Sequence, residues 1–364
     1  MSIAWLPPSK PVAEPPSAPL GSRQAFIVWG PAGKGRRSIV LGRAMGVPEV
    51  SFLTGTWRRG LLRDPLKYPR QVWRTLAILL RGRPTIVYVQ SPPTVATWIV
   101  AAYAAVGGGA FVIDAHSDAF QRPRWTRPVW LNRLIARRAA ATLVTDEHWA
   151  RRLAAWQAPF LVVPDVPVPP EMPSLASAPH ESSPGFVVMV VNTWSGDEPI
   201  VEVAAAAAEL PEVTFEVTGH ADARVARLGL LPPNVHFAGF LPDAEYYDLM
   251  RRAQAVICLT TRDHTMQRGA CEALSLGTPI ITSDWPLLRT YFDRGTVHVD
   301  NTAPAIRNGV QEMMEHYDRY LDEIARLRDV RRADWDARRA ELVGLLQHAA
   351  ASHSRRRRKP GGQG

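Results

Sequence analysis

The stretch TIVYVQSPPTVATWIVAAYAAVGGGAFVID (residues 85–114) begins and ends with a short β-branched run. Its uncharged part, residues 94–113, is 20 residues long and could span a bilayer by length alone. Three glycines, at positions 107–109, divide this part into a helix-length piece and the strand-like AFVID. A strand, a helix and a second strand in this order predict a buried parallel unit instead of a membrane span.

The same alternation of short apolar runs and helix-length segments continues on both sides of this unit. Six such runs begin at residues 26, 49, 85, 110, 141 and 160, and six more begin at 186, 213, 235, 255, 279 and 297. Between the two sets, residues 164–184 hold seven prolines, which suits a linker and not a helix or central strand. The pattern predicts an α/β protein with two Rossmann-like, doubly wound parallel-sheet domains facing a central cleft.

Charge is divided unevenly between the two halves of the chain. Residues 1–175 carry 22 lysines and arginines against 9 acidic residues, whereas residues 176–364 carry 21 against 25. The basic half is expected to attract phosphate, nucleic acid or an anionic membrane, unless the arginines reflect only a usage bias. Cys258 and Cys271 lie in apolar stretches and no secretory signal precedes the chain, which predicts a cytoplasmic location.

The segment VWGPAGKGRRS (residues 28–38) resembles a phosphate-binding P-loop at first sight. A P-loop needs Lys and Ser or Thr directly after its second glycine, but Arg36 and Arg37 follow Gly35 here. We therefore exclude a P-loop NTPase. Gly33 and Lys34, with Arg36, either meet a phosphate in the cleft or form a tight turn with solvated cations.

The most informative segment is LTTRDHTMQRGACEALSLGTPIITSDWP (residues 259–286), which follows a strand, opens a helix near Thr265 and enters the next strand through Gly-Thr-Pro. It resembles the GT-B glycosyltransferases of family four, the group 1 family. Their signature is a Glu, seven residues, a second Glu, Ala and a G-[TK]-P strand entry. Residues 192–210 and 234–261 also look like segments of that family, so the resemblance covers most of the chain.

Composition and the alternation of runs give a domain plan, to which the resemblance adds the acceptor and donor roles. It comprises a disordered N-terminus (1–22), an N-terminal acceptor domain (23–165), a Pro-rich linker (166–184), a C-terminal donor-nucleotide domain (185–303), C-terminal helices (304–350) and a basic disordered tail (351–364).

The resemblance also assigns the donor site. Glu272 matches the second Glu of the signature, which in the family accepts hydrogen bonds from the ribose hydroxyls of a nucleotide sugar. Thr265, Met266 and Gln267 occupy the family's glycine turn, where amides at a helix N-terminus meet the donor sugar and diphosphate.

Two departures from the family pattern affect this site. His264, preceded by Asp263, stands where the family has its first Glu. The Arg and Lys pair that clamps the diphosphate is absent from NTWSGDEP (residues 192–199), and we expect Arg262, Arg268 or Lys34 to replace it.

In the first domain, VIDAHSDAF (residues 112–120) places Asp114 and His116 at the carboxyl end of a strand. The resemblance implies that His116 lies at the reaction centre, where Asp114 could orient its ring; the alternative is a purely structural histidine. We predict no metal site and no cofactor, the nucleotide sugar being a substrate.

Two segments interleave basic residues with tryptophan. Residues 57–83 carry eight lysines and arginines against Asp64 alone, and residues 121–138 carry six arginines and no acid. In the first segment, Arg70, Arg74 and Arg81 fall on one helical face, and an apolar arc falls on the other: Val72, Trp73, Leu76, Leu79 and Leu80. Either the segments bind an anionic membrane, or the arc packs on the sheet and the arginines are solvated.

The function that follows is transfer of a sugar from a UDP-, GDP- or ADP-linked donor to a glycan or polyprenyl-linked acceptor. The resemblance implies a retaining enzyme of cell-surface polysaccharide or glycolipid synthesis, on the inner face of the plasma membrane. A GT-B sugar-nucleotide epimerase is one alternative. A nucleic-acid-binding protein is another, although no recognition module accompanies the basic residues.

Overall fold

The computed structural model describes residues 23–30, 35–54, 67–168, 185–219 and 231–358. Several predictions lie outside these residues. They are the disordered N-terminus, Gly33 and Lys34, residues 57–66 of the first basic segment, most of the Pro-rich linker and the last six residues.

The N-terminal lobe is built on a parallel sheet in the order β2-β1-β3-β4-β5-β6. Its strands are β1 (Gln24–Val28), β2 (Val50–Phe52), β3 (Ile86–Ser91), β4 (Ala110–Ala115), β5 (Ala141–Val144) and β6 (Phe160–Val162). Each coincides with a predicted run, because β-branched side chains are buried on both faces of a parallel sheet. The doubly wound prediction is confirmed for this lobe.

The described residues between β1 and β6 form seven helices. They are α1 (Arg36–Ala44), α2 (Lys67–Gly82), α3 (Thr94–Tyr103), α4 (Asp118–Gln121), α5 (Pro123–Thr126), α6 (Val129–Ala136) and α7 (Glu147–Ala155). A π-helical turn, Ala104–Gly108, leads from α3 into β4, so residues 94–113 divide at the glycines as predicted. Among the described residues, no helix is both long and apolar enough to cross a bilayer.

The C-terminal lobe repeats the architecture, with the strand order β12-β11-β10-β7-β8-β9. Its strands are β7 (Phe186–Val190), β8 (Val213–Thr218), β9 (Val235–Gly239), β10 (Ala255–Cys258), β11 (Ile280–Ser283) and β12 (Thr296–Val299). Its helices are α8 (Ile200–Ala208), α9 (Asp243–Arg252), α10 (Arg268–Leu276), α11 (Pro286–Tyr291) and α12 (Ala303–Glu315). The order reverses between β7 and β10, so the loops after these strands meet where such sheets bind ligands.

The last helix, α13 (Tyr317–Arg358), joins the two lobes. Ile324 and Leu327 pack in the C-terminal core, whereas Leu342 and Leu346 are fully buried in the N-terminal core. The helix continues to Arg358, past residue 351, where the disordered tail was expected to begin. Arginine is a good helix former, and the chain is already helical where its arginine run begins.

The first residues of the predicted linker are packed and not extended in solvent. Val166 is buried in the N-terminal core and Val168 in the C-terminal core, where its amide donates to Ser275 Oγ at 3.2 Å. Within the stretch predicted as a linker, these two apolar valines therefore bridge the two cores.

We predict that Leu342→Ala destabilises the N-terminal lobe, although Leu342 belongs to the last helix of the chain. Removing a fully buried leucine costs about 2–5 kcal/mol, and urea unfolding monitored by tryptophan fluorescence would measure the loss. The exposed Gln347→Ala should change the free energy of unfolding by less than about 0.5 kcal/mol. Equal effects of the two substitutions would contradict the packing of α13 on the N-terminal lobe.

Candidate functional site

The carboxyl-end loops of the two sheets are in direct contact. Ser117 Oγ, after β4, donates to the carbonyl of His264, after β10, at 3.0 Å. Gln121 Nε2 donates to the carbonyl of Asp263 at 3.3 Å. The structure therefore brings the His116 segment of one lobe to the signature segment of the other.

His116 and Asp114 form the pair that the sequence suggested. His116 Nε2 lies 3.3 Å from Asp114 Oδ2, and the Asp114 carboxylate is fully buried. Arg37 Nε donates to the other oxygen at 3.2 Å. Burial would raise the pKa of Asp114, but Arg37 and His116 outweigh it and lower the pKa to about 2. The carboxylate is thus ionised and can hold the imidazole in one orientation.

Glu272 lies in the first half of α10, and both of its oxygens are engaged. Tyr246 and Tyr247 donate their hydroxyls to Oε2 at 3.0 Å and to Oε1 at 3.3 Å, and Arg268 Nε donates to Oε1 at 3.1 Å. The side chain is 1% exposed. The guanidinium of Arg36, from the opposite lobe, stacks over the Tyr246 ring at 4.2 Å. Glu272 therefore lies beneath the lobe interface, covered by the two tyrosines.

Arg268 connects Glu272 to a second buried carboxylate. Its Nη1 donates to Asp165 Oδ1 and, at 3.0 Å, to the carbonyl of Val166. Asp165 is 6% exposed and also lies 3.8 Å from Arg37 Nη1. Two carboxylates already neutralise Arg268, so it is a weaker candidate for the missing diphosphate clamp than the sequence suggested.

Arg262, the other candidate for the clamp, lies between carboxylates of the two lobes. Its guanidinium is 3.6 Å from Asp118 and 3.5 Å from Asp197. The loop after β7, residues 192–199, is the one that lacks the Arg and Lys pair. It is closed around Glu198, whose carboxylate accepts hydrogen bonds from the amides of Thr193 and Ser195. Arg262 is 38% exposed and remains available to an anionic ligand.

Thr265, Met266 and Gln267 lie in the turn before α10, which begins at Arg268 and not near Thr265 as predicted. Thr265 Oγ1 donates to the carbonyl of Asp263, and Gln267 accepts from the Cys258 thiol. The helix starts late because residues 262–267 extend towards the other lobe. At Gly269 an added Cβ would lie 2.7 Å from Val191 Cγ1, so a glycine lets α10 approach β7 closely.

His264 contacts the N-terminal lobe directly. Its Nδ1 lies 2.6 Å from Asp146 Oδ2, and its ring stacks on His148 with centroids 3.9 Å apart. Asp146 and Asp165 were missed by sequence reasoning, as was the role of Arg37. Both aspartates end predicted strand runs, as Asp114 does, so the rule that selected Asp114 could have found them.

We predict that Asp114 contributes about 2 kcal/mol to stability at neutral pH, through its lowered pKa. Because its folded pKa lies below the unfolded value, this contribution is present above about pH 4 and is lost as the pH falls towards 2. Asp114→Asn should therefore be less stable than the wild type at pH 7, by a difference that shrinks below pH 4. Urea unfolding across this pH range measures the difference in the free energy of unfolding, and the exposed Asp318→Asn is the control. A difference that does not change with pH would contradict an ionised Asp114 paired with Arg37.

Each lobe matches a family model of glycosyltransferase-like domains. Residues 18–168 match the family model "Glycosyl transferase 4-like domain", and residues 200–358 match the model "Glycosyl transferase-like". No curated protein sequence matches the chain.

Solved structures resemble the whole chain. The sucrose-phosphate synthase of Thermosynechococcus elongatus superposes with a TM-score of 0.64 at 17% identity, over 91% of this chain and 100% of that one. The Anabaena protein HepE in complex with UDP and glucose gives 0.64 at 14% identity, over 92% and 100%. The trehalose 6-phosphate synthase of Burkholderia multivorans gives 0.62 at 13% identity, over 91% and 99%. At these identities the likeness shows the fold alone, which is the GT-B arrangement of two Rossmann-like domains; each of the two domains matches a glycosyltransferase-like family model.

Proposed function

We propose that the chain is a nucleotide-sugar-dependent glycosyltransferase whose reaction takes place between its two lobes. One observation carries the proposal: the two glycosyltransferase-like lobes meet at the carboxyl ends of their sheets, where His116, His264 and Glu272 were predicted to act. UDP bound to HepE supports a UDP-linked donor, with GDP and ADP as alternatives.

The donor ribose is proposed to bind at Glu272. A carboxylate offers about four acceptor sites, and Glu272 uses three of them for Tyr246, Tyr247 and Arg268. Because the side chain is buried, a ribose can reach it only if a tyrosine hydroxyl moves aside. Separation of Arg36 from the Tyr246 ring, as the lobes part, would uncover this region.

The transferred sugar and the diphosphate are proposed to lie between α10 and His116. Thr265, Met266 and Gln267 lead into the N-terminal end of α10, whose dipole favours an anion. Arg262 adds a partly exposed positive charge, and with these groups transfer needs no metal ion. Retention of the anomeric configuration is the stereochemistry that the family resemblance implies.

The acceptor is proposed to be a glycan or a polyprenyl-linked sugar of cell-surface polysaccharide or glycolipid synthesis. An exposed apolar surface on the N-terminal lobe supports a membrane-bound acceptor. Helix α3 packs against both α2 and α6, and Trp73 of α2 and Trp130 of α6 are 73% and 68% exposed. Leu79 of the predicted apolar arc is buried, whereas Trp73 and Leu80 face solvent.

The same region of the N-terminal lobe carries exposed arginines. They are Arg70, Arg74 and Arg81 on α2, and Arg124, Arg127, Arg133, Arg137 and Arg138 on and around α5 and α6. Exposed tryptophan and arginine on one lobe suit the interface of an anionic membrane. This supports the proposal that the enzyme acts on the cytoplasmic face of the plasma membrane.

An epimerase is the second candidate, because the fold is also that of a sugar-nucleotide epimerase. The UDP-GlcNAc 2-epimerase of Neisseria meningitidis, bound to UDP-GlcNAc, superposes with a TM-score of 0.55 at 12% identity, over 83% of this chain and 94% of that one. Isomerisation of a UDP-sugar without any acceptor would favour this candidate over transfer.

We predict that Glu272→Gln weakens binding of the nucleotide-sugar donor by roughly 1.5–3 kcal/mol, the range for hydrogen bonds to a charged group. A panel of UDP-, GDP- and ADP-sugars identifies the donor by thermal shift, and calorimetry then compares the variants. Glu245→Gln removes an exposed carboxylate from the neighbouring helix α9 and should bind the donor as the wild type does. A folded Glu272→Gln variant with unchanged affinity would refute the ribose role.

We predict that the double substitution Trp73→Ala and Trp130→Ala reduces binding to phosphatidylglycerol-containing vesicles at least tenfold, about 1.4 kcal/mol or more. Both side chains are exposed and would insert at the membrane interface. Flotation with phosphatidylcholine vesicles, whose lipid carries no net charge, tests whether binding requires an anionic lipid. Phe240→Ala, which removes an exposed aromatic side chain from the other lobe, is the control. No binding of the wild type to either vesicle would remove the membrane from the proposal.

A further inference from the structure

Asp146 and His264 come from different lobes and meet across the cleft. Asp146 follows β5 at the start of α7 in the N-terminal lobe, and His264 lies in the loop between β10 and α10 in the C-terminal lobe. Asp146 is 8% exposed, and the 2.6 Å separation of its Oδ2 from His264 Nδ1 is that of a charge-assisted hydrogen bond. The two residues are 118 positions apart, so only the fold brings them together.

The two oxygens of Asp146 have separate partners. Oδ1 accepts the amide of His148 at 3.1 Å and so caps the N-terminus of α7, whereas Oδ2 contacts the His264 imidazole. Capping alone would not need the second oxygen to face the other lobe. An asparagine can also cap a helix. The substitution Asp146→Asn therefore separates the cap of α7 from the contact with His264.

The N-terminal lobe also fixes the backbone of His264. Ser117 Oγ and Trp149 Nε1 both donate to its carbonyl, at 3.0 and 3.3 Å, and its φ of +52° lies in the left-handed region, which a residue with a Cβ seldom adopts. The His148 ring stacks on the imidazole at an interplanar angle of 20°. Backbone and ring of His264 are thus both held by the opposite lobe.

We propose that Asp146 is a positioning residue for His264 in the glycosyl-transfer reaction. With Nδ1 donating to Asp146, the Nε2 atom is directed towards Asp263, whose Oδ2 lies 3.5 Å away in the donor-site loop. Because Asp146 belongs to the opposite lobe, the imidazole takes this orientation only when the lobes are closed. Closing the cleft would therefore also orient His264, the side chain that stands in place of the family's first Glu.

This inference rests on the proposed function, and Asp146→Asn tests it. The asparagine keeps the helix cap but removes the charge that holds the imidazole. We expect kcat for sugar transfer to fall roughly 10- to 100-fold, the effect of a displaced catalytic group, while KM for the donor changes less than about twofold. Glu147→Gln, which removes the adjacent exposed carboxylate of α7, should leave kcat and KM unchanged.

A second readout does not depend on activity. In protein labelled with ¹⁵N-histidine, the bonded Nδ1–H of His264 should give a strongly deshielded proton signal, which Asp146→Asn and His264→Gln both remove and Glu147→Gln retains. The inference is overturned if Asp146→Asn keeps this signal, or if it has the kcat of the Glu147→Gln control. If the wild type transfers no sugar from any nucleotide donor, the proposed function fails, whereas the signal still decides whether Asp146 holds His264.

Discussion

The structure depends on a buried carboxylate, Asp165, that holds one arginine from each lobe. Arg37 belongs to the N-terminal lobe and Arg268 to the C-terminal lobe, and both guanidinium groups reach Asp165 where the chain passes between the lobes. Burying these charges is tolerated only while all of them are paired, because removing one leaves the others desolvated without a partner. The two lobes are therefore fixed to each other at this point by electrostatics, and α13 adds apolar packing.

The same charges connect the two halves of the proposed active site. His116 contacts Asp114, Asp114 contacts Arg37, and Arg37 shares Asp165 with Arg268, which in turn contacts Glu272. A proposed reaction-centre histidine and a proposed ribose-binding carboxylate are thus the two ends of one connected row of side chains. The positions of His116 and Glu272 therefore both depend on the assembly of the two lobes. The contact of His264 with Asp146 closes the cleft at a second point, so the donor loop is held by the lobe that would bind the acceptor.

Much of the fold was predictable from the sequence because each buried parallel strand is a local pattern of β-branched residues. In the part of the chain that the structure describes, all twelve strands coincide with predicted runs, and the pairing of His116 with Asp114, two residues apart, was also foreseen. The partners of Asp165 are Arg37, which lies 128 positions earlier in the chain, and Arg268, which lies 103 positions later, and no local pattern records such pairings. Likewise, the sequence does not single out Tyr246 and Tyr247 as the cover of Glu272, because their hydroxyl partners are set by the packing of α9 on α10. The roles assigned to the site residues remain predictions.

A crystal structure of the chain with a bound nucleoside diphosphate would test the central claim most directly. The account predicts density between the lobes, with the ribose hydroxyls within hydrogen-bond distance of Glu272 and the diphosphate between Arg262 and the N-terminal end of α10. Tyr246 or Tyr247 should have moved from its position against the carboxylate. A nucleotide bound elsewhere on the molecule, with Glu272 still enclosed by both tyrosines and Arg268, would contradict the account.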